Sequence, residues 1–190
     1  MRHRSVVGLS LVLISVVAIA APAGAAKATE QHCATRLVPI GPGSEPGAIA
    51  TEPEELGCYE TFEAALSVGL GTSVDLEDDV TAATLTEATL DASVTSSGDV
   101  LIGTEYTQVN YVGDSKSYFA PVGCNAGPIE VSYVGNNWND LFDAGKGFGA
   151  CNRNRKFAAS NFGGASLLCT PNCSNYGTLN NEVSSLRWRN

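Results

Sequence analysis

The chain has 190 residues, a formal net charge of −9, six cysteines and 20 glycines, and only 16% of its residues are charged. A chain of this length forms one or two small domains. Its low charge and many glycines favour a loop-rich β protein over a helical bundle. The acidic balance excludes a basic nucleic-acid-binding protein, because an acidic chain repels phosphate.

Residues 1–26 have the pattern of a secretory signal peptide. Arg2 and Arg4 precede a short apolar run, which small residues follow. This order predicts export with cleavage between Ala23 and Lys27. The competing interpretation is a membrane anchor, but the run is short for a span and no basic flank follows it. We therefore expect a secreted, extracellular protein with no membrane insertion after signal cleavage.

The charge is unevenly distributed along the rest of the chain. Residues 27–98 contain 13 acidic and 2 basic residues, a net charge of −11, whereas residues 99–190 contain 7 of each sign. Such an asymmetry between halves suggests two segments with different roles.

The cysteines all lie beyond the signal, and an even number of cysteines in an exported chain favours disulfides. The alternative is a zinc site that includes Cys169 and Cys173, but no second pair or histidine stands at a matching spacing. Cys33 and Cys58 are the only cysteines of the acidic half, so we expect them to pair. Closing that loop stabilises the fold by roughly 3–3.5 kcal/mol on the chain-entropy estimate.

The first element predicted after the signal is a strand over residues 34–40, which ends in a glycine- and proline-rich turn. The apolar spacing over residues 61–69 predicts a short helix, with Thr61 as its N-cap and Gly69 at its end. A second strand is expected over residues 73–76.

Residues 31–80 are thus interpreted as a small α+β module of strand, helix and strand, stapled by one disulfide. The acidic run 75–79 does not fit an EF-hand, because Val80 and Thr86 stand where that loop needs Gly and Glu. We interpret it as a solvated loop. Residues 81–98 are expected to be a linker, with a poor helix as the alternative.

The segment 99–190 has β character and contains a repeat. Two stretches have aromatic residues five positions apart and a glycine two positions later. Aromatic residues at this spacing point to opposite sides of a straight strand, so they pack together only if the chain folds over, and the glycine supplies a positive φ. Two such hairpins are expected to pack as a sandwich. The repeated positions are Tyr106, Tyr111 and Gly113, then Phe157, Phe162 and Gly164.

Each stretch is followed by an Asn/Asp-rich loop, at residues 139–144 and 180–185. This combination resembles the paired Greek keys of the βγ-crystallin superfamily, over about half of the chain. The resemblance implies that residues 99–190 form an all-β domain, a β-sandwich of two Greek-key motifs.

In that family such loops bind calcium, so the resemblance implies one or two Ca²⁺ ions as cofactor. In the second loop, Asn180 and Asn181 would shape the turn. The Glu182 carbonyl and the Ser184 hydroxyl would be ligands, and Ser185 would brace the folded hairpin. Short oxygen-bearing side chains and carbonyls are the ligands that calcium prefers.

The first loop departs from the family pattern. Asn139 and Asp140 would shape it, and the Leu141 carbonyl and the Asp143 carboxylate would be ligands, but Ala144 replaces the bracing serine. The alternative for both loops is a turn built only from asparagine hydrogen bonds.

The remaining cysteines fit the same domain, with Cys124–Cys151 across a long hairpin and Cys169–Cys173 closing a small loop. Other pairings of these four remain open.

A catalytic function has little support, because a nucleophilic triad needs a general base and one histidine, His32, remains after cleavage. The resemblance implies a non-catalytic, calcium-stabilised extracellular protein. The alternative is an inhibitor of an extracellular proteinase of the metalloproteinase type, with residues 118–133 as the exposed loop and the acidic module masking it. A small killer-type toxin has less support.

Overall fold

A computed structural model of the chain describes residues 29–94 and 98–190, so the signal-peptide prediction for residues 1–26 lies outside the described residues. The structure is mostly β. None of the helices in the described ranges is long and apolar enough to cross a membrane.

Nine strands and two α-helices succeed one another along these ranges. The strands are β1 (His32–Pro42), β2 (Ile49–Tyr59), β3 (Val100–Gln108), β4 (Val112–Ala120), β5 (Ile129–Val131), β6 (Ala144–Gly147), β7 (Arg153–Ala159), β8 (Gly163–Cys169) and β9 (Ser185–Arg189). The helices α1 (Phe62–Leu70) and α2 (Glu87–Ser93) lie between β2 and β3.

Strands β3 to β9 form two Greek-key motifs that exchange a strand. In the first motif the fourth strand, β6, lies beside the first, in the order β6-β3-β4. Its third strand, β5, pairs instead with β9 of the second motif, in the order β5-β9-β7-β8. In return, Cys173 of the second motif bridges to Gly145 on β6. The predicted all-β fold with two Greek-key motifs in the C-terminal half is confirmed.

The core lies between these two layers. Buried side chains from both motifs meet there and include Ile102, Tyr118, Val131, Phe142, Val183, Leu186 and Trp188. Neither motif could bury its inner face alone, which is why the two copies pack on each other.

The N-terminal hairpin joins the two layers into one continuous sheet. β1 pairs in parallel with β4, with His32 opposite Ser115, and β2 pairs in parallel with β5, with Ile49 opposite Ile129. The acidic segment therefore shares a sheet with the Greek keys. The division of the chain at residues 80 and 98 stays a prediction.

The strand predicted over residues 34–40 is present as part of β1, but the one predicted over residues 73–76 is not. In that region Val74 makes only an isolated bridge to Val94. The second strand of the segment is β2, which precedes the helix and contains Pro53 and several glutamates. These residues are depleted in strands, so the local sequence does not reveal β2.

Helix α1 begins where the sequence predicts and ends later. The Thr61 hydroxyl accepts a hydrogen bond from the Ala64 amide at 3.2 Å, and Gly71 closes the helix with a φ of 67°. Gly69, expected at the helix end, lies inside α1, where a Cβ would overlap the Phe119 ring of β4. The prediction for Gly69 was wrong. Its role is close approach to the sheet.

Residues 81–98, expected to be a linker or a poor helix, contain α2, which Thr86 caps through the Thr89 amide at 3.2 Å. Helices α1 and α2 cover the outer face of the β6-β3-β4 layer. A second apolar cluster forms beneath them, including Phe62, Leu66, Leu70, Leu85, Leu90, Leu101, Tyr106, Phe119 and Phe148.

Candidate functional site

The two folded hairpins of the repeat have almost the same geometry. The rings of Tyr106 and Tyr111 have centroids 5.6 Å apart and are inclined by 68°, and those of Phe157 and Phe162 are 5.6 Å apart and inclined by 70°. The chain folds over because three residues of each hairpin adopt positive φ. The angles are 60°, 64° and 79° at Asn110, Tyr111 and Gly113, and 55°, 62° and 75° at Asn161, Phe162 and Gly164.

Each hairpin is held by the opposite motif, as expected for a pseudo-twofold arrangement. The Asn110 amide donates to the Ser174 carbonyl at 2.7 Å, and the Asn161 amide donates to the Ser132 carbonyl at 2.8 Å. The positive φ of Asn110 and Asn161 does have a local sequence signal, which the aromatic spacing alone does not contain. Each hairpin has an asparagine immediately before its second aromatic residue, and asparagine tolerates this conformation.

The two Asn/Asp-rich loops lie against each other across the same pseudo-twofold axis. The Asp140 amide donates to the Val183 carbonyl at 3.2 Å, and the Asn181 amide donates to the Phe142 carbonyl at 3.1 Å. Asp140 and Asn181 occupy equivalent positions, with φ of 61° and 56°. The structure therefore brings the two sets of predicted ligands into one loop pair.

In the second loop the Ser184 hydroxyl lies 3.2 Å from the Ala158 carbonyl oxygen of the adjacent hairpin, and Glu182 is exposed. Two oxygens at this separation can share one calcium ion, because calcium–oxygen distances are about 2.3–2.6 Å. Ser185 lies next to the second folded hairpin. Its hydroxyl donates to the Ala159 carbonyl at 2.7 Å and accepts from the Phe162 amide at 3.0 Å.

In the first loop the Asp143 side chain faces inward. Its Oδ1 atom is buried and has no hydrogen-bond partner among the described residues. Its backbone is fixed on both sides, since its amide donates to the Tyr106 carbonyl and its carbonyl accepts from the Tyr176 amide, both at 2.8 Å. Leu141 is 41% exposed, and the buried Ala144 supplies no hydroxyl to brace the first hairpin.

The residues that shape the loops also carry unsatisfied oxygens. The Oδ1 atoms of Asn139 and Asn180 are buried without a hydrogen-bond partner in the described parts of the chain. The side-chain amide nitrogen of Asn139 donates to the Asp140 carboxylate at 2.6 Å. Buried acceptors normally have a partner, so these three oxygens call for a donor or a cation.

A metal site in these loops would have few charged ligands. Across residues 29–94 and 98–190, no group of three or more His, Cys, Asp or Glu residues is placed to hold a metal ion. The donor set is instead one carboxylate with carbonyl and hydroxyl oxygens. Calcium accepts such ligands, and its affinity falls as the number of charged ligands falls.

The three disulfides of the described chain are Cys33–Cys58, Cys124–Cys151 and Cys169–Cys173, which are the pairs expected from the sequence. Cys33–Cys58 links β1 to β2. The other two lie within the double Greek key.

The stretch predicted as an inhibitory loop, residues 118–133, is held at three points along its length. Tyr118 is buried in β4, Cys124 is tied to Cys151, and the Pro128 carbonyl accepts from the Ile49 amide at 2.7 Å. Proteinase inhibition stays a prediction.

A pair of equivalent cations was not anticipated from the sequence. The Lys146 ammonium lies 4.7 Å from the Tyr111 ring centroid, and the Arg187 guanidinium lies 4.5 Å from that of Phe162. Arg187 also pairs with Glu130 at 2.7 Å. The two cations occupy the same place in the two motifs, since β6 and β9 are their corresponding fourth strands.

The strand exchange, the paired hairpins and the paired loops together describe a known architecture. The C-terminal half of the chain resembles a βγ-crystallin domain. The resemblance inferred from the sequence is thereby confirmed at the level of the fold.

Solved βγ-crystallin domains are similar to this chain. A βγ-crystallin from an archaeon is 24% identical, covering 46% of this chain and 96% of its own, with a TM-score of 0.35. A βγ-crystallin domain from Clostridium beijerinckii is 19% identical, covering 46% and 97%, with a TM-score of 0.37. One from Flavobacterium johnsoniae is 26% identical, covering 46% and 92%, with a TM-score of 0.34. No family model and no curated protein matches the sequence.

Proposed function

We propose that this chain is a secreted, non-catalytic βγ-crystallin-like protein that binds Ca²⁺ in its two paired loops and is stabilised by it. The observation that carries the proposal is the buried Asp143 Oδ1, which has no hydrogen-bond partner among the described residues. A carboxyl oxygen without a hydrogen-bond partner is costly to bury, and a bound cation removes that cost.

In the first loop the Asp143 carboxylate and the Leu141 carbonyl would hold the ion. In the second loop the Ser184 hydroxyl and the Glu182 carbonyl would do so. Calcium supplies a hard positive charge that draws these oxygens together. The hydrogen bonds between the loops position the oxygens, because each loop fixes the backbone of the other.

The same pairing couples calcium to folding. The backbone hydrogen bonds that fix each loop run to the other motif, so the loop geometry forms only when the two motifs are packed and is absent from the unfolded chain. A ligand that binds only the folded state stabilises it by about 2.7 kcal/mol at a hundredfold excess over Kd.

Secretion is supported by the disulfides. The described cysteines are all paired, in three bridges that cover both halves of the chain. Disulfides form and persist in oxidising compartments and are rare in the cytosol. This agrees with the signal peptide predicted over residues 1–26.

Calcium titration of the mature protein during thermal unfolding tests the proposal. We expect saturating Ca²⁺ to raise Tm by roughly 5–10 °C over the chelated protein, since about 1 kcal/mol corresponds to about 2–4 °C at this size. Asp143→Asn keeps the shape of the side chain and removes its charge, and Ser184→Ala removes the hydroxyl. Each should reduce the rise, and the double variant should abolish it.

Asp91→Asn is the matched control, because Asp91 is exposed on α2, away from the loops. It should retain the full calcium response. The proposal fails if Ca²⁺ leaves Tm unchanged, or if the double variant responds as strongly as the control.

A further inference from the structure

Four arginines lie together on the outer face of β7 and β9. Arg153 stands opposite Arg189, and Arg155 stands opposite Arg187, in the antiparallel pairing of these strands. Residues directly opposite each other share a face of the sheet, and alternate residues of a strand return to that face. The residues that alternate with the arginines are fully buried, namely Asn154, Lys156 and Trp188. We call the four arginines the arginine face.

The equivalent face of the first motif is covered. Phe148 takes the place of Arg189 and belongs to the apolar cluster beneath α1 and α2, and Thr104 takes the place of Arg155 and is fully buried. In the second motif Arg153 is exposed, and Arg155 and Arg189 are partly exposed. The two copies therefore differ, because one outer face is apolar and covered and the other is charged and open.

One arginine of this face is neutralised within the protein. Arg187 is 7% exposed, and its guanidinium pairs with Glu130 at 2.7 Å and with Glu45 at 2.6 Å. It also donates to the Ser44 hydroxyl at 2.6 Å. Within the described chain, these two carboxylates are the ones that pair with the arginine face. Both hold Arg187, which therefore has a structural role.

The other three arginines lack a close counter-charge. Arg153 and Arg155 form no ion pair in the described ranges, and Arg155 donates to the Ser166 hydroxyl at 3.1 Å. Arg189 reaches the second oxygen of Glu45 at 3.4 Å, and its buried Nε atom has no hydrogen-bond partner among the residues described. Like charges directly opposite each other on paired strands are unfavourable. An anion bound beside Arg153 and Arg189 would remove that repulsion.

The spacing of these arginines suits an extended polymer with repeated acidic groups. Alternate residues of a strand are about 6.6–6.8 Å apart, and neighbouring strands are about 4.7–4.9 Å apart. Each guanidinium can bind one oxyanion through two parallel hydrogen bonds. The face is open, so a single small anion would remain largely in contact with water. A polymer instead gains affinity from several such contacts at once.

An acidic polysaccharide fits this surface better than a nucleic acid or an anionic membrane does. The chain has a net charge of −9, and its acidic segment lies in the same sheet, so the rest of the surface repels a densely charged partner. A polysaccharide carries its charges more sparsely, among many hydroxyls. Asn152 and Asn190 flank the arginine face and are exposed. Their side-chain amides can both donate to and accept from hydroxyls.

We propose that the arginine face binds an acidic polysaccharide outside the cell. Arg153, Arg155 and Arg189 hold its carboxylate or sulfate groups, and Asn152 and Asn190 contact its hydroxyls. The proposal rests on the proposed secretion of the chain. It does not rest on calcium, because none of the predicted calcium ligands belongs to this face.

Calorimetric titration of the mature protein with three dextrans tests the proposal. Dextran sulfate and carboxymethyl dextran share one backbone and differ in their acidic group, and plain dextran is the uncharged control. A chelator is present, so that calcium cannot bridge the protein to a carboxylate. At least one charged dextran should bind, and plain dextran should not. The charged dextran that binds more tightly distinguishes a sulfated from a carboxylated natural partner.

Single substitutions locate the binding on the arginine face. Arg153→Gln should weaken binding by about threefold or more, and the double variant Arg153→Gln/Arg155→Gln by about tenfold. Arg36→Gln is the matched control, because Arg36 is a partly exposed arginine of β1 that pairs with Asp99 at 2.7 Å. It removes the same charge away from the face and should bind as the wild type does.

Arg153→Glu separates binding from stability. It places a carboxylate opposite Arg189, so it should leave Tm unchanged or raise it while weakening binding by about tenfold or more. A fall in Tm that accompanies the lost binding would contradict this, because the arginine would then be needed for the fold. The calcium response of Tm should persist in this variant, so a failure of polysaccharide binding is distinct from a failure of calcium binding.

Three further results would overturn the proposal. The first is that neither charged dextran binds. The second is that duplex DNA or poly-glutamate binds more tightly than both charged dextrans, which would assign the face to another class of partner. The third is that Arg36→Gln loses as much affinity as Arg153→Gln, since the binding would then follow overall charge.

Discussion

Glu105 and Lys156 occupy the same position in the two repeats and carry opposite charges. They form an ion pair in the core, where both side chains are at most 1% exposed, and the Tyr176 hydroxyl donates to the same carboxylate. Burial lowers the pKa of Lys156, and Glu105 opposes that shift. An identical residue in both copies would bury two like charges, so the duplicated sequence had to diverge here for the sandwich to close.

Lys146 is another of the buried cations, and it lacks a carboxylate partner among the described residues. Its ammonium donates to the carbonyls of Ala83 and Leu85 and faces the ring of Tyr111. No salt bridge to it occurs in the described chain. Burial lowers the pKa of Lys146 to about 8.

This pKa predicts a pH dependence. An unfolded lysine titrates near pH 10.4, so between pH 8 and 10.4 the unfolded chain binds more protons than the folded one at this position. The contribution of Lys146 to the free energy of unfolding therefore rises with pH in that window, by at most about 1.4 kcal/mol per pH unit. Urea unfolding of the wild type and of Lys146→Met at pH 7, 8 and 9.5 measures it.

The difference in free energy of unfolding, wild type minus variant, should be constant below pH 7.5 and grow above pH 8. Lys146→Arg serves as the control, because arginine keeps its charge throughout this range. A difference that stays flat to pH 9.5 would show that Lys146 titrates normally.

At the scale of the elements, α1 approaches the sheet at Gly69. A helix interior normally favours alanine over glycine by about 1 kcal/mol. Here a Cβ would overlap the Phe119 ring, so we expect Gly69→Ala to destabilise the protein by about 1–3 kcal/mol, as overpacking does. Chemical denaturation measures the change.

Val68→Ala is the control in the same helix. Val68 is 38% exposed, so this substitution should leave stability nearly unchanged or raise it slightly. If Gly69→Ala were also neutral or stabilising, α1 would not pack as closely on β4 as the structure shows.

The elements also show what sequence can predict. The aromatic spacing predicted both hairpins, because that pattern is local and occurs twice. The sequence did not predict β2, because Pro53 and the glutamates of β2 are uncommon in strands and the strands that pair with it lie elsewhere in the chain. The role of Gly69 was misassigned for a related reason. Phe119, the ring it accommodates, lies 50 residues later in the sequence. The three buried loop oxygens without a hydrogen-bond partner, on Asn139, Asp143 and Asn180, likewise result from tertiary packing, so the local sequence does not predict them.

At the scale of the whole molecule, the acidic segment is structurally part of the double Greek key. It covers Leu101, Phe119 and Phe148 on the outer face of the first layer, and its hairpin occupies the edge of β4. The Glu55 carboxylate pairs at 2.5 Å with the fully buried Lys116 ammonium of that strand. The sequence suggested two segments with different roles, because their charge and composition differ, whereas these long-range pairings have no local signature.

We therefore predict that a chain starting at residue 98 will be much less stable than the full chain. Burial of each large apolar side chain contributes about 1.5–3 kcal/mol, and three such losses approach the whole stability of a typical domain. Circular dichroism and thermal unfolding of residues 98–190 should show a weak or absent transition. A fragment with the melting temperature of the full chain would contradict this prediction and would show that the acidic segment is not needed for stability.

The position of β9 has a consequence for biosynthesis. β9 lies in the interior of the sheet, between β5 and β7, although it follows all the other described strands in the chain. Until Ser185–Arg189 have left the ribosome, β5 and β7 have no common neighbour and the sandwich cannot close. A nascent chain that folds only after β9 is complete stays unfolded for longer, which is what the proposed export through a protein-conducting channel requires.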